Sequence, residues 1–126
     1  MKALVDTLVL LWFQSLDRRL PKSTRDYIEH STDTFPVSIV SLWEVTIKHA
    51  LGKLALDRPL PETFAAIERA GFGILHVEQV HLFALSILPY HHRDPFDRML
   101  IAQAKHEGKH LLDPHFKLYD VPLVDL

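Results

Sequence analysis

The sequence predicts an α/β fold in which a mostly parallel sheet is covered by helices on both faces. Short apolar runs alternate along the chain with longer segments of helical length. The apolar runs are unbroken rather than alternating, which is typical of strands that are buried on both faces of a parallel sheet. With 126 residues, 48% of them hydrophobic and 24% charged, the chain can bury the core of one domain spanning residues 1–126.

Five strands are predicted from short apolar runs. They lie at residues 3–5, 36–40, 73–77, 110–112 and 122–124. The first reads Ala-Leu-Val and the second Pro-Val-Ser-Ile-Val. The β-branched residues of the second run favour extended backbone, and the first run is short and apolar as a fully buried strand is.

Six helices are predicted between and beside these strands. They cover residues 8–14, 21–30, 41–51, 61–70, 78–88 and 94–107. Asp6 or Thr7 can cap the first helix, and Pro21 opens the second at a position that tolerates proline. Gly52 and Gly108 each follow a helical segment and predict its end.

Composition and charge narrow the classes of function. The chain has no cysteine, so a metal would be bound by oxygen or imidazole. Its net charge of −2 lacks the strong basic character of proteins that bind nucleic acid non-specifically. The apolar run at residues 8–13 is too short to span a membrane, and no cleavage signal follows it. We therefore expect a soluble, cytoplasmic protein.

Acidic residues stand at or near the ends of the predicted strands. Asp6 directly follows the first strand and Asp113 follows the fourth. Glu44 lies one turn into the helix after the second strand, and Asp97 one turn into the helix before the fourth. Because ligands bind outside the carboxyl ends of parallel strands, these acids could meet at one edge of the sheet. Carboxylates without thiolates favour a hard cation, Mg²⁺ or Mn²⁺, which suits a phosphate substrate.

Each acid also has a local structural explanation. Asp6 can act as a helix cap, and residues 41–44, Ser-Leu-Trp-Glu, match a capping box. Glu44 can pair with Lys48 four residues further on. Asp94 can cap the helix that Pro95 opens, with Asp97 in its first turn, and the Asp-Pro pair at 113–114 can be a turn.

Several other patterns are open to more than one interpretation. Residues 106–110 match the H-E-x-x-H string of zinc peptidases, but Gly108 interrupts the helix that this chemistry needs. The His-His pair at 91–92 is either a loop or a ligand for metal or phosphate. A basic cluster is either a solvated helix face or a nucleic-acid contact: Arg18, Arg19, Lys22 and Arg25. The larger aromatic residues belong to the core or to a subunit interface: Trp12, Trp43, Phe64, Phe72, Phe83 and Phe96.

Three segments resemble the PIN-domain family and, more narrowly, the VapC-type toxins of bacterial toxin–antitoxin pairs. They are residues 4–7 (Leu-Val-Asp-Thr), residues 41–48 (Ser-Leu-Trp-Glu-Val-Thr-Ile-Lys) and residues 92–104, which begin His-Arg-Asp-Pro-Phe-Asp-Arg. The segments occur in the family's order, and the resemblance covers nearly the whole chain.

The resemblance implies a three-layer α/β/α sandwich and Mg²⁺- or Mn²⁺-dependent cleavage of RNA. It also implies a homodimer that is inhibited by a cognate antitoxin protein. Matched motif by motif, Asp6, Glu44 and Asp97 fall on the metal-binding acids, and Asp94 falls on an auxiliary acid of this subgroup. Asp113 is expected to be a weaker fourth ligand. The resulting hypothesis is a metal-dependent endoribonuclease that acts as a toxin. Arg93 or Arg98 is a candidate contact for substrate phosphate, and the alternative for either arginine is a surface position or a pair with a carboxylate.

Two departures from the family pattern favour a rival hypothesis. Leu8 stands where the family usually has histidine after Asp-Thr, and Leu112 joins the Asp-Pro-His-Phe segment at 113–116 directly, which shortens the last part of the motif. The rival is a catalytically impaired PIN-like module that binds a partner protein or RNA. A phosphoacceptor signalling domain would also cluster acids at strand ends, but no clear counterpart of its usual lysine follows the fourth strand.

Overall fold

The computed structural model describes residues 3–31, 35–89 and 94–112, together with the backbone of residues 118 and 119. The strands are β1 (Ala3–Val5), β2 (Val37–Ser38), β3 (Ile74–Leu75), β4 (His110–Leu112) and β5 (Leu118–Tyr119). The helices are α1 (Thr7–Gln14), α2 (Lys22–His30), α3 (Ile39–Ala50), α4 (Leu60–Arg69), α5 (Gln79–Ser86) and α6 (Pro95–His106).

The strands form one sheet in the order β3-β2-β1-β4-β5. The pairs among β3, β2, β1 and β4 are parallel, and β5 pairs with β4 in the antiparallel direction. The chain therefore adds strands on one side of β1 and then crosses to its other side. In such an order the carboxyl ends of β1 and β4 flank the point where the direction of winding reverses, which is the usual place for a ligand.

Two cores, one on each face of the sheet, follow from the side-chain alternation within β1. Ala3 and Val5 pack into one core with residues of α1, α2 and α4, whereas Leu4 packs into the other with residues of α5 and α6. All three side chains are fully buried. Helices thus cover both faces, and the predicted three-layer α/β/α fold with a mostly parallel sheet is confirmed.

The start of α3 differs from the prediction. The helix begins at Ile39, and Ser38 is its N-cap, because the Ser38 hydroxyl accepts a 3.0 Å hydrogen bond from the Val40 N–H. The capping box predicted at residues 41–44 is therefore wrong. Ser41 lies inside the helix, where its buried hydroxyl accepts a 2.8 Å hydrogen bond from the Thr7 hydroxyl of α1. The early start also shortens β2 relative to its predicted span.

A buried polar side chain of α6 forms hydrogen bonds to the start of α3 and to the backbone just after β3. Gln103 of α6 is fully buried, and its Oε1 accepts a 2.5 Å hydrogen bond from the Ser38 hydroxyl at the start of α3. Its amide nitrogen donates to the His76 carbonyl at 3.3 Å. Because an unpaired buried amide is costly, these bonds fix the position of α6 relative to the start of α3.

The C-terminal part of the sheet was predicted incompletely. β5 at Leu118–Tyr119 was not predicted, and the strand expected at residues 122–124 lies outside the described residues. The His-His pair at 91–92 and Asp113 also lie outside them. Among the helices that the structure describes, none has the length and apolarity needed to span a membrane.

Candidate metal centre

Asp6 is held at the carboxyl end of β1 by three backbone and side-chain contacts. Its N–H donates to the Leu112 carbonyl of β4 at 3.1 Å, which ties the residue to the neighbouring strand end. Its side chain caps α1 by accepting a 3.1 Å hydrogen bond from the Leu8 N–H, and its carbonyl accepts from the Leu10 N–H. The capping role predicted for Asp6 is confirmed, and it uses one of the two carboxylate oxygens.

Glu44 lies on the second turn of α3 and is buried. The helix is positioned by the Ser38 cap and by the hydrogen bond from Thr7 to Ser41, one turn before Glu44. Its Oε2 accepts a 2.7 Å hydrogen bond from Nζ of Lys48, and this ion pair confirms the pairing that the four-residue spacing predicts. A buried carboxylate needs such a partner because desolvation disfavours its charge.

Asp97 occupies the first turn of α6, directly after the cap formed by Asp94. The Asp94 carboxylate accepts hydrogen bonds from the N–H groups of Phe96 at 2.8 Å and Asp97 at 3.3 Å. Asp94 is exposed and Asp97 is half-buried. Since α6 leads into β4 and runs against it, the start of α6 lies at the carboxyl edge of the sheet, where β1 also ends.

Electrostatic coupling shows that the structure brings these acids together. Burial, together with the negative charges of Asp97 and Glu44, raises the pKa of Asp6 from 3.8 to about 6, against the opposing effect of the hydrogen bond from Leu8. The pKa of the Lys48 ammonium is also raised, first by its hydrogen bond to Glu44 and then by attraction to Asp94 and Asp97. Carboxylates from three remote segments therefore share one electrostatic environment.

The three carboxylates are not drawn tightly around a common point. Within the described part of the chain, a set of potential ligand atoms all within 4.8 Å of one another occurs on α2, at Asp26, Glu29 and His30. Those residues sit on one exposed or half-exposed helix face, and Nδ1 of His30 already contacts the Asp26 carbonyl at 3.0 Å. Side chains at such spacing meet on any helix, so we assign no site to them.

A groove of about 550 Å³ opens beside Glu44, between α1, α3 and the segment before α4. Trp12 lines its apolar side together with leucines that include Leu8, which is 45% exposed. Its basic side chains are Arg19, Lys48, Lys53 and Arg58. Arg19 lies over the Trp12 ring at 4.9 Å from the ring centre, and it also pairs with Asp17 at 2.8 Å. The groove therefore combines cations with an aromatic surface next to Glu44, and Asp17 and Asp57 also line it.

Two arginines that the sequence offered as nucleic-acid contacts have structural roles instead. Arg98 is buried, and its guanidinium donates to the carbonyls of Pro89 at 2.9 Å and Leu88 at 3.3 Å. The interpretation of Arg98 as a phosphate contact is therefore wrong. Arg25 donates to the carbonyls of Trp12 and Phe13 at the end of α1, which removes it from the predicted basic cluster. Arg93 lies outside the described residues.

We expect Arg98→Met to destabilise the protein strongly. The substitution leaves two carbonyls at residues 88 and 89 without the guanidinium that satisfies them, at a cost of about 2–4 kcal/mol. Urea unfolding of the variant measures this loss, and the exposed substitution Arg69→Met on α4 is the matched control. A variant as stable as the wild type would contradict the structural role of Arg98.

The sequence of this chain matches a known protein family. The family model for the PIN domain matches residues 3–113, from the start of β1 to the end of β4 and one residue beyond. The chain belongs to the PIN domain family. No curated protein matches it. PIN domains are generally nucleases that act on nucleic acid and typically use divalent metal ions, so the family confirms the prediction of a nuclease fold.

Sequence reasoning missed how the centre of this PIN domain is held in place. The bonds from Ser38 to Gln103 and from Thr7 to Ser41 join residues 65 and 34 positions apart, so no local pattern could reveal them. The H-E-x-x-H string, by contrast, was correctly discounted, because α6 ends at His106 and β4 begins at His110. Glu107 of that string instead lies 3.1 Å from Nε2 of the buried His81.

Proposed function

We propose that the chain is a metal-dependent endoribonuclease that hydrolyses phosphodiester bonds of RNA. The observation that carries the proposal is the electrostatic effect of Glu44 and Asp97 on Asp6, three acids from remote segments of a PIN domain. Carboxylates placed this way repel one another without a cation, and the raised pKa of Asp6, caused first by burial and in part by this repulsion, reflects that cost. Such an arrangement is typical of a functional site rather than of a structural cap.

The donor atoms fit Mg²⁺ or Mn²⁺. All of them are carboxylate oxygens, which hard divalent cations prefer, and Lys48 already places a positive charge beside Glu44. When bound, the ion would activate water as a nucleophile and neutralise charge on the scissile phosphate. Asp6, Glu44 and Asp97 would hold it, with Asp94 as an auxiliary acid that also caps α6. Asp113, beyond the described residues, is proposed as a weaker fourth ligand and catalytic acid.

The groove beside Glu44 is the proposed path of the RNA. Lys53 and Arg58 would contact backbone phosphates, and Trp12 offers an aromatic face to a base. Because the groove opens at Glu44, a strand lying in it would bring a phosphate to the acids. A net charge of −2 does not oppose this proposal, because RNA binding would depend on the cations of this groove rather than on the charge of the whole surface.

We expect Asp97→Ala to abolish both tight Mn²⁺ binding and cleavage of single-stranded RNA. Loss of a carboxylate at the centre should exceed the roughly 10–100-fold loss that outer substitutions cause at metal sites. Calorimetric titration with Mn²⁺ and RNA cleavage with and without EDTA measure the two effects. Glu62→Ala, on an exposed turn of α4, is the control that should retain both. Equal cleavage by Asp97→Ala and wild type would reject the site.

The narrower resemblance supports a role as the toxin of a toxin–antitoxin pair in the bacterial cytoplasm. On this proposal the cognate antitoxin protein blocks the nuclease until it is removed. Expression of the wild-type chain in bacteria is then expected to arrest growth and degrade RNA, whereas the Asp97→Ala variant is expected to permit growth. Growth arrest by both variants would argue against toxicity through cleavage.

We also propose that a second copy of the chain covers an apolar face on the opposite side of α3. This face is a groove of about 520 Å³ formed by α3, α5 and α6. Trp43 and Leu82, which line it, are 59% and 48% exposed. It holds no charged side chain among the described residues that line it. An uncharged face that presents both a hollow and protruding side chains suits a symmetric contact with its own copy.

A second candidate function is a PIN-like module that binds RNA or protein without cleaving. Two observations favour it: exposed Leu8 occupies the position next to Asp6 and Thr7 where the family usually has histidine, and Lys48 already neutralises Glu44. This candidate predicts no Mn²⁺ binding that depends on Asp97. The calorimetric comparison of wild type with Asp97→Ala therefore separates the two functions.

A further inference from the structure

Lys48 is a positive group in direct contact with a proposed metal ligand. Its Nζ lies 2.7 Å from Oε2 of Glu44, one turn earlier on α3. The two side chains differ in their surroundings: that of Glu44 is 8% exposed, and that of Lys48 is 48% exposed. Asp94 and Asp97 of α6 also attract the ammonium. The lysine therefore reaches from solvent into the acid centre from one side.

We propose that Lys48 is the exchangeable counter-ion of this centre: its ammonium holds Glu44 in the metal-free protein and competes with the divalent ion for that carboxylate. The inference rests on the proposed function, because it assumes that the acids bind a metal. It makes Lys48 a positioning residue that sets metal affinity, and not a catalytic residue.

The need for a counter-ion follows from the burial of Glu44. A buried carboxylate without a partner is strongly disfavoured, so the metal-free fold requires a cation at this position. No other cation is within 4.0 Å of Glu44 among the described side chains that form ion pairs. The Lys48 ammonium meets this requirement through a flexible stem anchored on the same helix.

The exchange is feasible because the Lys48 ammonium can occupy a second position, in the groove beside Glu44. Its side chain is half-exposed and also lines the groove beside Glu44, where Lys53 and Arg58 are found. Rotation about the side-chain bonds would move the ammonium from Glu44 toward the groove without any change in α3. Because the lysine end of the pair is half-exposed, its ammonium can leave Glu44 for solvent without its charge being buried, and a divalent ion can then take its place beside the carboxylate. The displaced charge would then stand where a phosphate is proposed to lie.

The test measures Mn²⁺ affinity by calorimetry on the full chain with Lys48→Met, which keeps the length of the side chain and removes its charge. We expect Mn²⁺ to bind about three- to tenfold more tightly, because it no longer displaces an ammonium from Glu44. The rise in melting temperature on adding Mn²⁺ should also be larger than in wild type, since metal-free Glu44 lacks its partner.

Two further variants control for unfolding and for a general effect of removing a positive charge. Lys48→Gln can still donate a hydrogen bond to Glu44 and keeps the fold if Lys48→Met unfolds, and it too should bind Mn²⁺ more tightly. Lys22→Met removes an exposed charge on α2 that lines neither groove, and its Mn²⁺ affinity should equal that of wild type. Unchanged or weaker Mn²⁺ binding by Lys48→Gln, or equal tightening by Lys22→Met, would overturn the inference.

The outcomes also separate this inference from the proposed function. If wild type binds Mn²⁺ and Asp97→Ala does not, the metal centre stands, and the Lys48 variants alone decide the role of the counter-ion. If wild type binds no Mn²⁺ and the Lys48 variants bind none, both proposals are rejected together.

Discussion

Asp6→Asn is expected to abolish RNA cleavage and, at the same time, to stabilise the metal-free protein at neutral pH. Asparagine has the same shape and still caps a helix well, so the hydrogen bond from the Leu8 N–H to the side-chain oxygen can remain. What the substitution removes is a negative charge that lies close to Glu44 and Asp97. The metal-free fold therefore becomes more stable, whereas the proposed metal centre loses one of its ligands.

The stabilisation should depend on pH in a definite direction. The pKa of Asp6 is raised from 3.8 to about 6 by burial and by the neighbouring acids, so the folded protein binds this proton more tightly than the unfolded chain does. Stability therefore falls as pH rises from about 4 to about 6 and stays lower above that range, by up to about 3 kcal/mol at 1.36 kcal/mol per pKa unit. Asparagine lacks this penalty. Variant and wild type should thus be equally stable near pH 3.5 and differ most above pH 6.5.

Urea unfolding at pH 4, 5 and 7.5 in EDTA measures this effect, and addition of Mn²⁺ at pH 7.5 should stabilise wild type but not the variant. Asp26→Asn on α2 is the matched control: it makes the same chemical change in the set of side chains that lies within 4.8 Å on that helix. We expect Asp26→Asn to retain cleavage and Mn²⁺ binding. Loss of both in Asp26→Asn but not in Asp6→Asn would move the metal site to α2.

The fold class and the proximity of the acidic residues could be predicted from the sequence, because both depend on simple rules. Unbroken apolar strands predict a parallel sheet, and Asp6 directly after β1 must then lie at the edge where ligands bind. The start of α6 lies at the same edge, because a helix that leads into β4 must run against it. Proximity of Asp6, Glu44 and Asp97 could therefore be predicted, while their role as metal ligands stays a prediction.

What could not be predicted depends on contacts between distant residues. Serines at both 38 and 41 can cap α3 by their local sequence, and the choice of Ser38 depends on where β2 pairs with β1 and on the bond to Gln103. Arg98 looks from its position like a surface cation at the mouth of a helix. Its burial becomes visible only when the carbonyls of Leu88 and Pro89 are placed beside it. β5 has two residues and thus no pattern to detect.

Leu82→Glu is expected to convert a dimer of this chain into monomers. Leu82 lies on α5 in the apolar face formed with α3 and α6, and nearly half of its surface is exposed. On the proposal that a second copy covers this face, the substitution would bury a carboxylate against apolar side chains with no charged partner in the described lining. Such burial costs several kcal/mol, so we expect the dimer to weaken at least about 100-fold.

Sedimentation at micromolar concentration measures this change, with Leu16→Glu as the matched control. Leu16 is 76% exposed, more than Leu82, but follows α1 and lines neither groove. The control should remain dimeric, which separates the position of a charge from its mere presence. The face also adjoins the acids: Trp43 precedes Glu44 on α3, Phe96 precedes Asp97 on α6, and the two rings meet edge to face at 5.2 Å. If dimerisation holds these rings in place, monomeric Leu82→Glu should also bind Mn²⁺ more weakly than wild type. If Leu82→Glu remains a dimer, the apolar face contacts a partner other than a second copy of the chain.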